Sequence, residues 1–463
     1  MDHILWKKID NFPLQETQAE FGFITRLAHE NKWTFNFTQN ALVEYKRFMY
    51  LAATSNKMVS PSPIVDEVWH LHLIYTQSYQ EFCRVLGKTI EHIPSTHNKE
   101  ERQKFEDAVS HTKLVYEQNF GPMPAQFWGF EKASDILQLP KAKKEKYLIY
   151  LVSSLVLIVL LFLGKPLFLL VYPKIGSAVF LWSFFLLSAT MFGVLEWYNR
   201  TRINTFIASL PEPSLSFLKG FVPEEMAFIK TENWASVFHG MMNNLIKTRT
   251  VKIGEKYELS VESRSPNETL FEKTLLDELD QFEKPTYLPL LHRLKSKPLF
   301  SQYTHAGNML AEQFYTSQLY FTMLAVNVVS IALLFLIGFS RLETGIFRDK
   351  PVVFLVIMLV VLAVVSFAFL NRISSMFTKF GVCKLYKEML EPIYQTSSDS
   401  QSSEWSFFLY GTAMFATPFV PLVTHSDNRS ATYDGTTTSS CGSSCGGGGG
   451  GGCGGGCGGC GGS

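Results

Sequence analysis

The chain is poor in charge and has no excess of either sign. Only 18% of its 463 residues are charged, with 42 basic and 41 acidic side chains. This balance gives no general attraction to nucleic acid or to an anionic surface. The first residues, Met1–Lys8, also lack the apolar run of a secretory signal, so we expect a cytoplasmic N-terminal region. Low charge together with 39 phenylalanines indicates membrane spans.

Glycine and cysteine are scarce outside the last 23 residues. The first 440 residues hold 16 glycines and two cysteines, Cys83 and Cys383, whereas residues 441–463 hold 15 glycines and five cysteines. A segment without apolar side chains cannot bury surface, and glycine loses more backbone entropy on ordering than any other residue. We therefore expect residues 426–463 to form a disordered, Ser/Gly/Cys-rich tail.

The tail has several possible chemistries. Its cysteines are Cys441, Cys445, Cys453, Cys457 and Cys460. Thiolates at these spacings can bind zinc, copper or an iron–sulfur cluster. Bare Gly-Cys dipeptides also suit a modifying enzyme, because glycine leaves the backbone and the thiol unobstructed. Disulfides are a further alternative, disfavoured in a reducing cytoplasm, and the segment could also have no specific chemistry.

Four segments lack charge over a length that spans a bilayer as a helix. They cover residues 147–164, 175–195, 317–339 and 351–370 and form two hairpins, 147–197 and 317–370. Basic residues cluster before the first span, after the second and after the fourth, which by the positive-inside rule predicts cytoplasmic termini and a cytoplasmic middle region. Because the spans contain no ionisable side chain, we interpret them as anchors in the cell membrane, with the lipid bilayer as partner.

A fifth apolar segment covers residues 407–423, but Gly411, Pro418 and Pro421 interrupt it. We predict that it lies on the membrane surface or re-enters the membrane. If it crossed the membrane instead, the cysteine tail would lie outside the cell.

The N-terminal region, residues 1–140, has helical apolar spacing and predicts an α-helical bundle. Its third helix is expected over residues 64–86, after serine and proline cap signals. On a regular helix His70 and His72 point about 160° apart and cannot share one ion, whereas Asp66 and His70 lie on one face. One interpretation is a local Asp66–His70 pair with Trp69 and His72 packed at the bundle edge. The alternatives are a metal or catalytic site of Asp66, His70 and His92, or a recognition surface.

This helix also carries a recognisable motif. Its residues are Asp66, Trp69, His70, His72, Tyr79, Cys83, Gly87 and His92. At this spacing the motif resembles the repeat region of the plant glycine-rich domain-containing proteins and their bacterial relatives. The resemblance implies an α-helical domain and no particular reaction.

The middle region, residues 200–315, shows short helices, two β-rich runs around Gly254 and a further helix, which is the order of a winged-helix domain. From residue 224 to 264, six basic side chains balance six glutamates. A nucleic-acid role would require a basic face, so we expect a protein partner for this region and no nucleic acid.

The layout of residues 140–463, including the Leu409–Ala413 stretch, is similar to an uncharacterised bacterial family of membrane proteins with a Ser/Gly/Cys-rich C-terminal tail. That resemblance implies a cytoplasmic-membrane protein whose tail is the target of a modifying enzyme. The sequence thus predicts a mostly α-helical, multi-pass membrane protein with an N-terminal bundle, a winged-helix-like α+β domain and a disordered tail. We expect a non-enzymatic scaffold that presents the tail. The alternative is a metal-dependent enzyme or sensor centred on the Trp-His-x-His helix.

Overall fold

The computed structural model describes residues 1–14, 21–93, 102–142, 159, 172–266, 268–282, 285–396 and 405–425. Within this part of the chain the protein is mostly helical, as the sequence predicts. The predicted first span, 147–164, lies outside the described residues except for Val159, and the five tail cysteines also lie outside them.

The N-terminal region is a group of helices. Its helices are α1 (His3–Asp10), α2 (Phe23–Asn31), α3 (Phe35–Thr54), α4 (Pro63–Ile74), α5 (Thr76–Leu86), α6 (Arg102–Phe120) and α7 (Ala125–Trp128). The start of α4 uses the predicted cap, because the Ser62 hydroxyl accepts a hydrogen bond from the Val65 amide and Pro63 occupies the first turn. The cap fixes the direction in which α4 presents Asp66 and His70.

The single helix predicted over residues 64–86 is two helices in the structure. The break lies at Tyr75, whose backbone is not helical (φ −83°, ψ 63°). The Tyr75 ring contacts Phe23 at 5.3 Å between centroids, and α5 turns so that Phe82 packs 4.7 Å from Phe12. These tertiary contacts outweigh the local preference for one continuous helix, and the bend brings Ser78 and Tyr79 back toward α4.

The middle region contains short helices around a small hairpin. Its elements are α9 (Glu212–Leu218), α10 (Pro223–Thr231), α11 (Ala235–Lys247), β1 (Val251–Ile253), β2 (Leu259–Val261), α12 (Leu270–Asp280), α13 (Tyr287–Lys295) and α14 (Pro298–Thr316). The two strands are antiparallel, with Val251 opposite Val261. The predicted order of helices, hairpin and helices is present, while the winged-helix assignment itself stays a prediction.

Three helices are long and apolar enough to cross a membrane. They are α8 (Ser177–Ala208), α15 (Gln318–Phe347) and α16 (Val353–Met376), the last continuing through a π-helical stretch (Phe377–Val382) into α17 (Cys383–Thr396). Large apolar side chains point outward from them, with Trp182 and Phe354 each 75% exposed. Such surfaces are costly in water and suit lipid. Three of the four predicted spans fall within these helices.

The long helices pack closely where side chains are small. A Cβ atom at Gly338 would lie 2.5 Å from the Leu359 side chain, so any larger residue would require Leu359 to move out of this contact. Further along, the buried amides of Asn199 and Asn327 donate to each other at 2.8 and 3.1 Å. The amide pair satisfies polar groups that would otherwise be costly inside an apolar bundle.

The N-terminal helices share a core with the rest of the chain. Phe37 of α3 contacts Phe217 of α9 at 5.7 Å between ring centroids. The carboxyl group of Glu225, on α10, accepts one hydrogen bond from the Phe35 amide and one from the Val222 amide, both at 2.9 Å. The same apolar cluster continues into α14 and the π-helical stretch, where Phe314 stacks on Phe377. The described N-terminal helices therefore pack directly on the middle region and on the long helices.

The apolar segment 407–423 also packs on protein. It contains α18 (Ser406–Tyr410) and a 3-10 turn (Gly411–Met414), neither of spanning length. Phe415 and Phe419 are buried in the core of the middle region, and Phe419 contacts Tyr287 at 5.2 Å between ring centroids. These protein contacts account for the burial of Phe415 and Phe419, while the membrane-surface or re-entrant position of the segment stays a prediction.

Candidate functional site

The residues of the predicted metal site lie together at one end of the N-terminal helices. Asp66 and His70 are one turn apart on α4, and His92 comes from the segment that follows α5. Gly87 ends α5 in the left-handed conformation (φ 72°), which lets the chain turn back toward α4. Within the described residues this is the group of His, Cys, Asp and Glu side chains whose geometry fits a metal ion.

The ligand atoms of the three side chains are close enough for one ion. His92 Nε2 lies 2.9 Å from Asp66 Oδ1, and His70 Nε2 lies 3.6 Å from Asp66 Oδ2. All three ligand atoms fall within 4.8 Å of one another. Tetrahedral zinc with bonds of about 2.0–2.1 Å separates its ligand atoms by roughly 3.4 Å, so only small side-chain rotations are required. The side chains of Asp66 and His70 are 30% and 53% exposed, and that of His92 19%.

A chain of motif residues holds His92 in place. The Trp69 indole Nε1 donates to the Tyr79 hydroxyl at 3.2 Å, and that hydroxyl donates to the carbonyl of Ile90, two residues before His92. The His92 ring also contacts the edge of Trp69, with ring centroids 4.6 Å apart. Trp69 and Tyr79 therefore position His92, a role their spacing in the sequence did not reveal.

The surroundings of His72 differ from those of His70. It is fully buried, rather than at the bundle edge, and its two ring nitrogens are hydrogen-bonded to the Tyr45 hydroxyl at 2.7 Å and the Ser78 hydroxyl at 3.1 Å. Burial lowers the pKa of His72 to about 4, so the imidazole is neutral at pH 7. As the helix geometry predicts, the two histidines of the His-x-His pair do not converge. Cys83 is a buried free thiol.

A cleft of about 710 Å³ is lined by two of the three side chains, Asp66 and His92. Asp66, His92 and Trp69 line one wall, so an ion held there would face the cleft. Ser55 lies in the same cleft, and its hydroxyl is hydrogen-bonded to His111 Nε2 at 2.9 Å. Sequence reasoning missed this pair, because Ser55 and His111 are 56 positions apart and no local pattern links them.

Comparison with known proteins bears on this N-terminal region. A model of the UCP032817-like family matches residues 8–113. No curated protein and no solved structure matches the chain. The match to the UCP032817-like family contains every residue of the Trp-His-x-His motif, from Asp66 to His92. It supports a relationship to an uncharacterised family and covers less than half of the chain, while the glycine-rich naming and the bacterial origin stay predictions.

Proposed function

We propose that this chain is a membrane-anchored, metal-dependent protein that holds a divalent transition-metal ion, zinc above all, at Asp66, His70 and His92. The observation that supports it is the convergence of two imidazoles and a carboxylate, from two separate segments, within 4.8 Å. Two histidines and one carboxylate are a ligand set used by catalytic zinc sites. The alternative metal chemistry for such a set is non-haem iron.

Three protein ligands leave one position of a tetrahedral ion open. Open sites are characteristic of catalytic zinc, whereas structural zinc is closed by four protein ligands. Two of the three proposed ligands, Asp66 and His92, line the cleft, which supports an open position that faces it. An exchangeable position in a cleft suits a metal-dependent enzyme or a sensor better than a purely structural ion.

A simple ion pair is the competing interpretation. The His92–Asp66 contact at 2.9 Å would then be the whole interaction, and His70 would be an exposed neighbour. The two interpretations differ in the importance of His70. An exposed partner of a charge pair contributes little to stability, whereas a ligand is required for the affinity of the ion.

The test is metal content in the full chain, purified in detergent, with the five tail cysteines replaced by serine so that tail thiols cannot bind zinc. We expect about one zinc per chain by elemental analysis, loss of at least 90% of it in His70→Ala, and no loss in His3→Ala. His3 is an exposed histidine of the same region and serves as the matched control. Circular dichroism of each variant checks that the fold is retained. Full zinc content in His70→Ala would contradict the proposal.

We also infer that the anchors lie in the cytoplasmic membrane with the N-terminal region in the cytoplasm. The support is the distribution of basic residues around the apolar helices. In this orientation the candidate metal site is on the cytoplasmic side.

A second function concerns the tail. We propose that the protein also presents Cys441–Cys460 as a scaffold, either to a modifying enzyme or to a soft metal ion, while the winged-helix-like region contacts a protein partner. Five thiols among 15 glycines in 23 residues support it. Intact-mass measurement of the tail peptide from native membranes tests this function, and unmodified, metal-free thiols under all growth conditions would contradict it.

A further inference from the structure

The cleft beside the candidate metal site combines basic and apolar side chains. Its basic residues come from three separate segments: Lys57 follows α3, Lys88 follows α5, and Lys104 belongs to α6. The Lys88 ammonium donates to the Ala52 carbonyl at 3.4 Å, which holds it near the C-terminal end of α3. Three cationic side chains therefore converge on one cleft although they are distant in sequence.

The charge of the cleft favours an anion. Among the described lining residues, Asp66 and Glu91 are the two acidic groups against these three lysines. A divalent ion at Asp66, His70 and His92 would offset the Asp66 charge and add further positive charge. An anion in the cleft would then contact both the open metal position and the lysine ammoniums.

The cleft also has apolar lining that is open to water. The Met58 and Phe105 side chains are half-buried and that of Ile93 is 55% exposed, and all three line the cleft. Beneath them Phe48 and Trp69 pack against each other at 5.4 Å between ring centroids and are themselves buried. A volume of about 710 Å³ lies within the usual range of small-molecule sites. An inorganic anion would leave these apolar side chains in contact with water, whereas an organic body would cover them.

We propose that the cleft binds an organic acid with an apolar body. The metal ion, Lys57 and Lys88 hold its acid group, and the body lies against Met58, Ile93 and Phe105. This inference rests on the proposed metal site, and it names the class of small molecule that binds beside that site.

The test uses isothermal titration of the full-length chain in detergent, again with serine at the five tail positions. The probes are 4-phenylbutyrate, the matched alcohol 4-phenylbutanol, and inorganic phosphate. We expect 4-phenylbutyrate to bind the zinc-loaded protein at least tenfold more tightly than the chelator-treated protein, and at least tenfold more tightly than either other probe. The double variant Lys57→Gln/Lys88→Gln is expected to weaken binding about five- to tenfold, whereas Lys7→Gln/Lys8→Gln leaves it unchanged.

Metal content measured on the same samples separates the two proposals. Normal zinc content without 4-phenylbutyrate binding overturns the ligand class and leaves the metal site standing. The ligand class is also overturned if the acid and the alcohol bind equally, or if Lys57→Gln/Lys88→Gln does not weaken binding. A wild-type chain that binds no zinc overturns both proposals.

Discussion

Glu225→Gln is the substitution that most directly tests how the N-terminal helices are joined to the middle region. The Glu225 side chain is fully buried, and its two carboxyl oxygens each accept a backbone amide, from Phe35 at the start of α3 and from Val222 before α10. Glutamine has the same shape but only one acceptor oxygen. Its NH₂ group would therefore face one of the two amide hydrogens.

The expected cost follows from the unmatched donor. Leaving a buried N–H without an acceptor costs about 1–3 kcal/mol, so we expect the free energy of unfolding to fall by that amount. The matched control is Glu212→Gln, which changes the same residue type in the first turn of α9 at an exposed position. A surface change of this kind is expected to alter stability by about 0.5 kcal/mol or less.

The pH dependence gives a second, independent measurement. Burial raises the pKa of Glu225 to about 8, so between the unfolded pKa near 4.5 and pH 8 the folded state holds a proton that the unfolded state has lost. The contribution of Glu225 to the free energy of unfolding is therefore largest at low pH, and it decreases as the pH rises toward 8. From pH 6.5 to 8 the decrease is about 1–2 kcal/mol. The buried His72, whose pKa is lowered to about 4, affects stability mainly below about pH 7, where the unfolded imidazole binds a proton that the folded one does not.

Urea unfolding in detergent, followed by tryptophan fluorescence at pH 6.5, 7.2 and 8, measures both effects. We expect Glu225→Gln to be less stable than the wild type and to lose the decrease between pH 6.5 and 8, while Glu212→Gln retains both properties. The reasoning is refuted if Glu225→Gln unfolds at the wild-type urea concentration or keeps the wild-type pH dependence.

Three further predictions concern other parts of the chain. Gly338→Ala should lower the thermal unfolding midpoint in detergent by several degrees because its Cβ would clash with the neighbouring long helix, whereas Gly193→Ala, which meets open space, should not; equal midpoints would contradict the packing. Tyr45→Phe removes a hydrogen bond to the buried His72 and should cost about 1–2 kcal/mol in urea unfolding; an unchanged free energy would show that this bond contributes nothing. Cys441–Cys460 should resist a membrane-impermeant thiol reagent in intact cells and react after lysis, and labelling of intact cells would reverse the predicted orientation.

Local patterns predicted the features that depend on one segment at a time. Helical periodicity brings Asp66 and His70 to one face and separates His72 from them, and the structure confirms both relations. Absence of charge over about 20 residues identified three helices that are long and apolar enough to span a membrane. These inferences succeed because backbone geometry and burial cost act locally.

Patterns did not predict the features that depend on distant partners. The break at Tyr75 arises from ring contacts with another helix, and the burial of Phe415 and Phe419 arises from a core built by the middle region. The helix period alone favoured one helix, and apolar composition alone cannot distinguish lipid from protein as the partner.

By itself, the sequence determined that this chain is mostly helical, that it carries uncharged segments of spanning length, and that Asp66 and His70 face the same way. Only the tertiary structure decided that His92 completes the group, because its position depends on the Trp69–Tyr79–Ile90 hydrogen bonds across the α4–α5 bend. Likewise, Glu225 joins Phe35 across 190 positions of sequence. Such contacts are set by how helices pack on one another, and no period or composition within a single segment encodes them.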